Sequence, residues 1–185
     1  QVLVHRRQTN DMLRLTTTLN NLALAMRRLG NLERAKQLYT EAIAVSQSVG
    51  NLKSLAHALN GLAEVHGELK EYASAVRLQR ESISIRHQLG DLKGEAISLD
   101  ALAMSVDQLG ASFLATQLES ASGKIMRELG LAIPFASRAE NENFIAQLRI
   151  KLRDAAFEDA WSIGQTMPLE QVVALAMKDA DTQNN

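Results

Sequence analysis

The chain of 185 residues is 46% hydrophobic and 22% charged, with ten Gly, two Pro and no Cys, which suits a folded, mostly helical protein. The missing cysteines exclude a disulfide framework, a thiolate metal site and sulfur redox chemistry. The formal net charge is -1, yet residues 1–90 hold 12 Lys/Arg against 7 Asp/Glu and residues 91–185 hold 8 against 14, a split that either orients the molecule in an assembly or is solvated surface.

No apolar run approaches the roughly 20 residues that span a bilayer, and no secretory signal pattern opens the chain. A cytoplasmic location away from membranes is therefore expected. Aromatic residues make up only 4% of the chain, so no basic patch with interleaved aromatics marks a nucleic-acid surface.

In chain order, residues 1–10 line up with the end of a second helix and are expected to be the remnant of an upstream unit. From there the phrase LNNLALAMRRLGNLERA at Leu19 returns as LNGLAEVHGELKEYASA at Leu59 and as LDALAMSVDQLGASFLA at Leu99. The period is 40 residues, which defines units at 11–50, 51–90 and 91–130.

Apolar positions inside each unit fall at helical spacing on both sides of a break, as in Leu19, Leu22, Met26 and Leu29, then Leu38, Ile43, Val45 and Val49. Each unit is thus expected to be a helical hairpin. Gly30, Gly50, Gly90, Gly110 and Gly130 stand where helices should stop, and Asn31, Asn51 and Asp91 follow as caps for the next helix. Small residues at Ala23, Ala63 and Ala103, and at Ala35, Ala75 and Ala115, let the paired helices approach closely. Beyond Gly130 the period is lost. Residues 131–185 read as three shorter capping helices near 136–152, 154–163 and 168–178, with Pro134 and Pro168 at helix starts and a short disordered tail. Phe144, Leu148, Leu152, Phe157 and Trp161 are the residues with which this segment would close the last unit.

Catalytic patterns are missing. A phosphate-binding loop needs G-x-x-x-x-G-K-[ST], and the pair Gly123-Lys124 has Leu118 in place of the first Gly and Ile125 in place of the hydroxyl. His5, His57, His66 and His87 never pair four residues apart, so no helical metal site and no metal cofactor are expected. Neighbouring carboxylates such as Glu140 with Glu142 turn to different helix faces, and no G-x-S-x-G elbow is present. The chain is read as a non-enzyme without cofactors.

The spacing Leu19, Leu22, Ala23, Met26, Ala35, Tyr39, Ala42 resembles the tetratricopeptide repeat signature. The unit is longer than the usual repeat of about 34 residues and is similar to the 40-residue variety of kinesin light chains and some bacterial peptide sensors. It departs from the signature at Gln79 and Glu119, which stand in the place of the aromatic Tyr39. The resemblance implies an all-α, right-handed solenoid of antiparallel hairpins with a helical cap. The tail, through RELG, the Ile-Pro at Pro134, FEDAW from Phe157, Gly164 and MPLEQVVALA from Met167, resembles the C-terminal region of bacterial signal-transducing ATPase regulators.

In such arrays the first helix of each hairpin lines a concave surface, and the position after the leading Leu points into it: Asn20, Asn60 and Asp100. The resemblance implies that an Asn ladder there holds an extended peptide, since a carboxamide donates and accepts at once. The same residues could instead hydrogen-bond neighbouring helices. The same helical phase adds Thr17, Leu24, Arg27 and Arg28, then His57, Glu64 and Glu68, then Ile97, Met104 and Asp107. A clamp for an acidic chaperone tail is not matched, and Leu24 with Met104 favours a partly apolar peptide or amphipathic helix. The expected role is a protein- or peptide-binding module, the sensor or scaffold end of a larger bacterial regulator. The alternative is self-association or packing within a longer chain, which makes a homo-oligomer a possible partner.

Overall fold

The structure is a computed structural model that describes the backbone of residues 2–131 and 135–178, and side chains over 11–131 and 138–178. Pro134 and the expected tail beyond residue 178 lie outside the described residues. Among the described residues every regular element is α-helical: α1 Val2–Arg28, α2 Leu32–Ser48, α3 Leu52–Glu68, α4 Tyr72–Gln88, α5 Leu92–Gln108, α6 Ser112–Glu128, α7 Phe135–Leu152, α8 Asp154–Thr166 and α9 Leu169–Ala176. The helices pack as sequential antiparallel pairs, an all-α repeat array. The chain forms two compact units, residues 1–85 and 86–185, divided within α4.

The helix stops follow from backbone chemistry. Gly30, Gly50, Gly90, Gly110 and Gly130 adopt φ of 76°, 67°, 63°, 89° and 67°, the left-handed region that L side chains resist. At the equivalent turn of the second hairpin the residue is Lys70, with φ of 63°. Each expected cap is formed: Asn31 Oδ1 accepts from Arg34 N at 3.3 Å, Asn51 Oδ1 from Ser54 N at 3.1 Å, and Asp91 Oδ1 from Gly94 N at 3.0 Å. No turn interrupts α1 near residue 10, so the boundary expected between an upstream remnant and the first unit has no counterpart in a break of the helix. Asn10 holds the register of Gly50, and the helix runs through it.

In the first unit α1, α2 and α3 share one apolar cluster that includes Leu19, Ala23, Ala35, Leu38, Tyr39, Ala42, Leu55, Leu59, Leu62 and Ala63. Alanines at the helix crossings are fully buried, which keeps the backbones close. Tyr39, the one retained aromatic, lies against Gly61 of α3. Ser82 of α4 donates to Ala56 O of α3 at 2.9 Å, and α4 thereby joins the same unit.

In the second unit α5 and α6 form the hairpin, and α6 also carries α7, α8 and α9. Gly164 sets the approach of α8, because a Cβ there would stand 2.8 Å from Ser120 Cβ and closer still to Gln117 O. Ser120 Oγ donates to Trp161 O at 2.7 Å, and Gln165 Nε2 donates to Ser120 O at 2.7 Å. Phe144, Leu148 and Phe157 are buried, with Leu152 and Trp161 half-buried. Phe157 and Trp161 stack at 5.5 Å with the Arg149 guanidinium 4.3 Å from the Phe157 ring centre. Lys151 Nζ reaches Asp107 Oδ2 at 2.5 Å, so the end of α7 is tied to α5.

Candidate functional site

The sequence places the candidate residues on one helical phase of the first helices, and the structure assigns them different duties. In α1, Asn20 is buried. Its Nδ2 donates across to Ser54 O of α3 at 3.2 Å, while Oδ1 has no hydrogen-bond partner among the described residues. Thr16 and Asn51 extend this polar seam, with Asn51 Nδ2 donating to Ser54 Oγ at 2.9 Å. Asn20 thus holds α1 to α3, the second of the two roles open to it from sequence.

Asn60 is also buried, and its Nδ2 donates to Glu64 Oε1 at 2.8 Å. The other Glu64 oxygen takes Arg27 of α1 at 2.7 Å, and Arg27 also bonds Glu68 at 3.0 Å. This fork spans α1 and α3 through partly buried side chains, where a guanidinium with two carboxylates has directional strength. Burial first and the Glu64 charge second push the Tyr39 hydroxyl up to about 12, against the pull of Arg27 and Arg28. Leu24 is half-buried, and Thr17, Arg28 and His57 are exposed on the same helices.

In the second unit Ile97 and Met104 stand exposed seven residues apart on α5, one stripe with Ala101 between them. Asp100, half-buried, hydrogen-bonds Glu119 of α6, whose Oε1 accepts from Asn141 Nδ2 of α7 at 2.6 Å. Burial, then the neighbouring Asp100 charge, pushes the Glu119 carboxyl up to about 9, and burial also raises Asp100. One proton shared by this pair removes the repulsion of two buried carboxylates. Asp107 is buried and bound by Ser112 Oγ at 2.7 Å and by Lys151. Asp100 and Asp107 are therefore spent on cohesion between helices.

His66 is half-buried and meets Glu71, and that contact holds the Glu71 carboxyl below its usual range. No group of three or more His, Asp or Glu among the described residues could hold a metal ion. No described helix is long and apolar enough to cross a membrane.

Two groups of interest were not singled out from sequence. Glu95 is fully buried in α5, with His87 Nδ1 at 3.4 Å and no hydrogen bond to either carboxylate oxygen among the described residues. Its register was legible, since Leu15 and Leu55 occupy the same place in the earlier units. The second is a solvent-facing stripe on α1, Leu15, Thr18, Leu22 and Ala25, of which only Leu22 belongs to the periodic apolar series.

Within each unit the helices pair with polar seams between them and leave side chains of the first helices exposed. Residues 14–88 match the tetratricopeptide repeat family, whose domains generally serve as protein–protein interaction modules. No curated protein matches the chain.

Proposed function

We propose that this chain binds a protein or peptide through the first helices of its hairpins, with Ile97 and Met104 of α5 as the apolar anchor points. The supporting observation is their joint exposure on one helical stripe, while most of α5 around them is buried. A thioether beside a branched aliphatic accepts apolar side chains of varied shape. The first unit, taken by itself, presents Leu24, Arg28 and His57 on its own first helices. Asn20, Asn60, Arg27 and Glu64 set the spacing of α1 and α3 beneath them. Asp100 acts by holding α5 to α6.

Selection of a phage-displayed peptide library on the intact chain tests this reading. Convergent peptides should emerge, and Ile97→Ser with Met104→Ser should weaken them at least about tenfold, the loss of roughly 1.4 kcal/mol of contact. Failure of any sequence to converge, or unchanged affinity for the double variant, overturns it.

The finer part of the proposal makes the chain the sensor or scaffold portion of a larger bacterial regulator. The likeness of FEDAW and MPLEQVVALA to such tails supports it. Translation of the neighbouring coding sequence tests it, and the absence of any effector module there would remove it.

A further inference from the structure

Arg153 is the one residue between α7 and α8, and its backbone stands at φ 63° and ψ 160°. That region is open to glycine and strains any residue with a Cβ. Nothing in the local sequence asks for the bend. Residues 149–160 read RIKLRDAAFEDA, without Gly or Pro and rich in helix formers, and Arg153 supplies no side-chain cap to α8. Packing on α6 imposes it: Ser120 Oγ donates to Trp161 O at 2.7 Å, Gln165 Nε2 to Ser120 O at 2.7 Å, and Lys124 Nζ to Met167 O at 3.2 Å. Arg149 clasps the elbow from the solvent side, 3.3 Å from Asp154 and 2.8 Å from Glu158. In an unbroken helix Arg149 and Glu158 would stand roughly 13 Å apart along the axis, so this clasp belongs to the bent form alone. Ile150 is an independent sign. It is 79% exposed on α7, more than any other large apolar residue among those described. In a helix continued through Arg153 it falls two turns before Phe157, on the stripe of Phe157, Ala160 and Gly164 that α8 buries.

We infer that this elbow is a hinge through which two copies of the chain exchange α8 and α9. Straightened at Arg153, α7 and α8 form one helix over 135–166, and α8 seats on α6 of the second copy with the hydrogen bonds that it makes on its own α6. The contacts between α6 and α8 are the same in the two forms. What differs is the elbow: the exchanged form is relieved of the strain at Arg153 and gives up the Arg149 clasp. A short connection under strain between two helices is the setting in which such exchange arises. The two straight helices cross near the two-fold axis of the pair, and Ile150 of each copy is covered there by the other chain. The exchange is independent of the peptide contacts proposed on α5.

The intact chain is held at millimolar concentration in denaturant just below its unfolding midpoint, returned to buffer, and resolved by size-exclusion chromatography with light scattering. A dimer should form and persist on dilution. Arg153→Gly relaxes the bent backbone and weakens the straight helix, and should lower the dimer fraction at least about tenfold. Ile150→Glu, an exposed change in the monomer, should lower it as well while leaving the circular dichroism of the monomer unchanged. Exchange is told from side-by-side association by mixing an Arg127→Cys chain with a Gln165→Cys chain, since these side chains meet between α6 and α8 and the parent has no Cys. A short bis-maleimide should link unlike chains in the dimer of the mixture. A chain with both changes, linked within itself as a monomer, fixes the reach of the reagent. The inference is overturned if the parent stays monomeric through this treatment, or if Arg153→Gly or Ile150→Glu leaves the dimer fraction as it was. A dimer whose unlike chains are not linked also overturns it, for the two copies would then associate without exchanging α8.

Discussion

The ring of Tyr39 occupies the space in which a side chain on Gly61 would begin: a Cβ there would lie 2.6 Å from Tyr39 Oη and closer to two ring carbons. The two residues are a size-matched pair across α2 and α3. Forty residues on, the same register reads Gln79 and Ala101, and eighty on it reads Glu119 and Asn141, the last two hydrogen-bonded at 2.6 Å. As one member shrinks, the other grows. Gly61→Ala should therefore destabilise the chain by roughly 1–3 kcal/mol through overpacking, despite its better helix propensity. Adding Tyr39→Gln, which takes the ring away from the new Cβ, should recover at least half of the loss. Chemical denaturation of the two single variants and the double variant measures the coupling, and strict additivity would dissolve the pair.

This pairing also shows what could be read before the structure and what could not. The hairpins were legible because Gly50, Gly90 and Gly130 punctuate a fixed period and because Ala23, Ala63 and Ala103 mark close crossings. The candidate surface was legible only as a helical phase. Phase places Asn20 and Asp100 on one side of their helices, but it does not reveal that Ser54 O takes the Asn20 amide or that Glu119 meets Asp100. Those partners are more than a dozen residues away in sequence, and only packing brings them near. Leu22 stands in the periodic apolar series, yet the period alone does not show that its side chain is left exposed.

Glu95 interrupts the Leu series at its register and should be replaceable. Burial raises its carboxyl, His87 lowers it, and Glu170 and Asp91 raise it further, so the charge is poorly matched in its site. A buried ion pair exchanged for an apolar side chain of similar volume is neutral or favourable by about 1–4 kcal/mol. His87 is partly solvated and loses little when its partner goes. Glu95→Leu should raise the melting temperature of the intact chain, whereas Glu95→Ala, which leaves a void, should lower it. A drop in both variants would mean that the carboxylate serves a partner not visible in its present surroundings.

Lys70 holds φ of 63° at a turn where Gly30 and Gly110 hold 76° and 89°. A β-carbon in the left-handed region costs about 1–2 kcal/mol, and glycine returns part of this gain through a freer unfolded chain. Lys70→Gly should stabilise by roughly 0.5–1 kcal/mol, and Lys70→Val should destabilise, since branching at Cβ tightens the clash. Thermal unfolding of the two variants decides it. Equal melting temperatures would show that the turn relaxes at no cost.

The Asp100, Glu119 and Asn141 cluster makes a pH prediction with a definite sign. Glu119 is raised to about 9 in the folded chain, from 4.5 as a free side chain. Between those values the folded state keeps a proton that the unfolded state has released, so stability is fullest below the lower value and falls as pH rises toward the upper one. The slope is at most about 1.4 kcal/mol per pH unit for one proton. Glu119→Gln retains an acceptor for Asn141 Nδ2 and a donor for Asp100 but cannot ionise. The variant should match the parent near pH 5 and exceed it at pH 8, with a flatter profile between. Asp100→Asn should flatten the profile in part, because Glu119 is then raised by burial without a neighbouring charge. Denaturation midpoints across pH 5 to 9 read the difference directly. Parallel profiles for parent and Glu119→Gln would mean that α6 and α7 part to let water reach the carboxyl before it titrates.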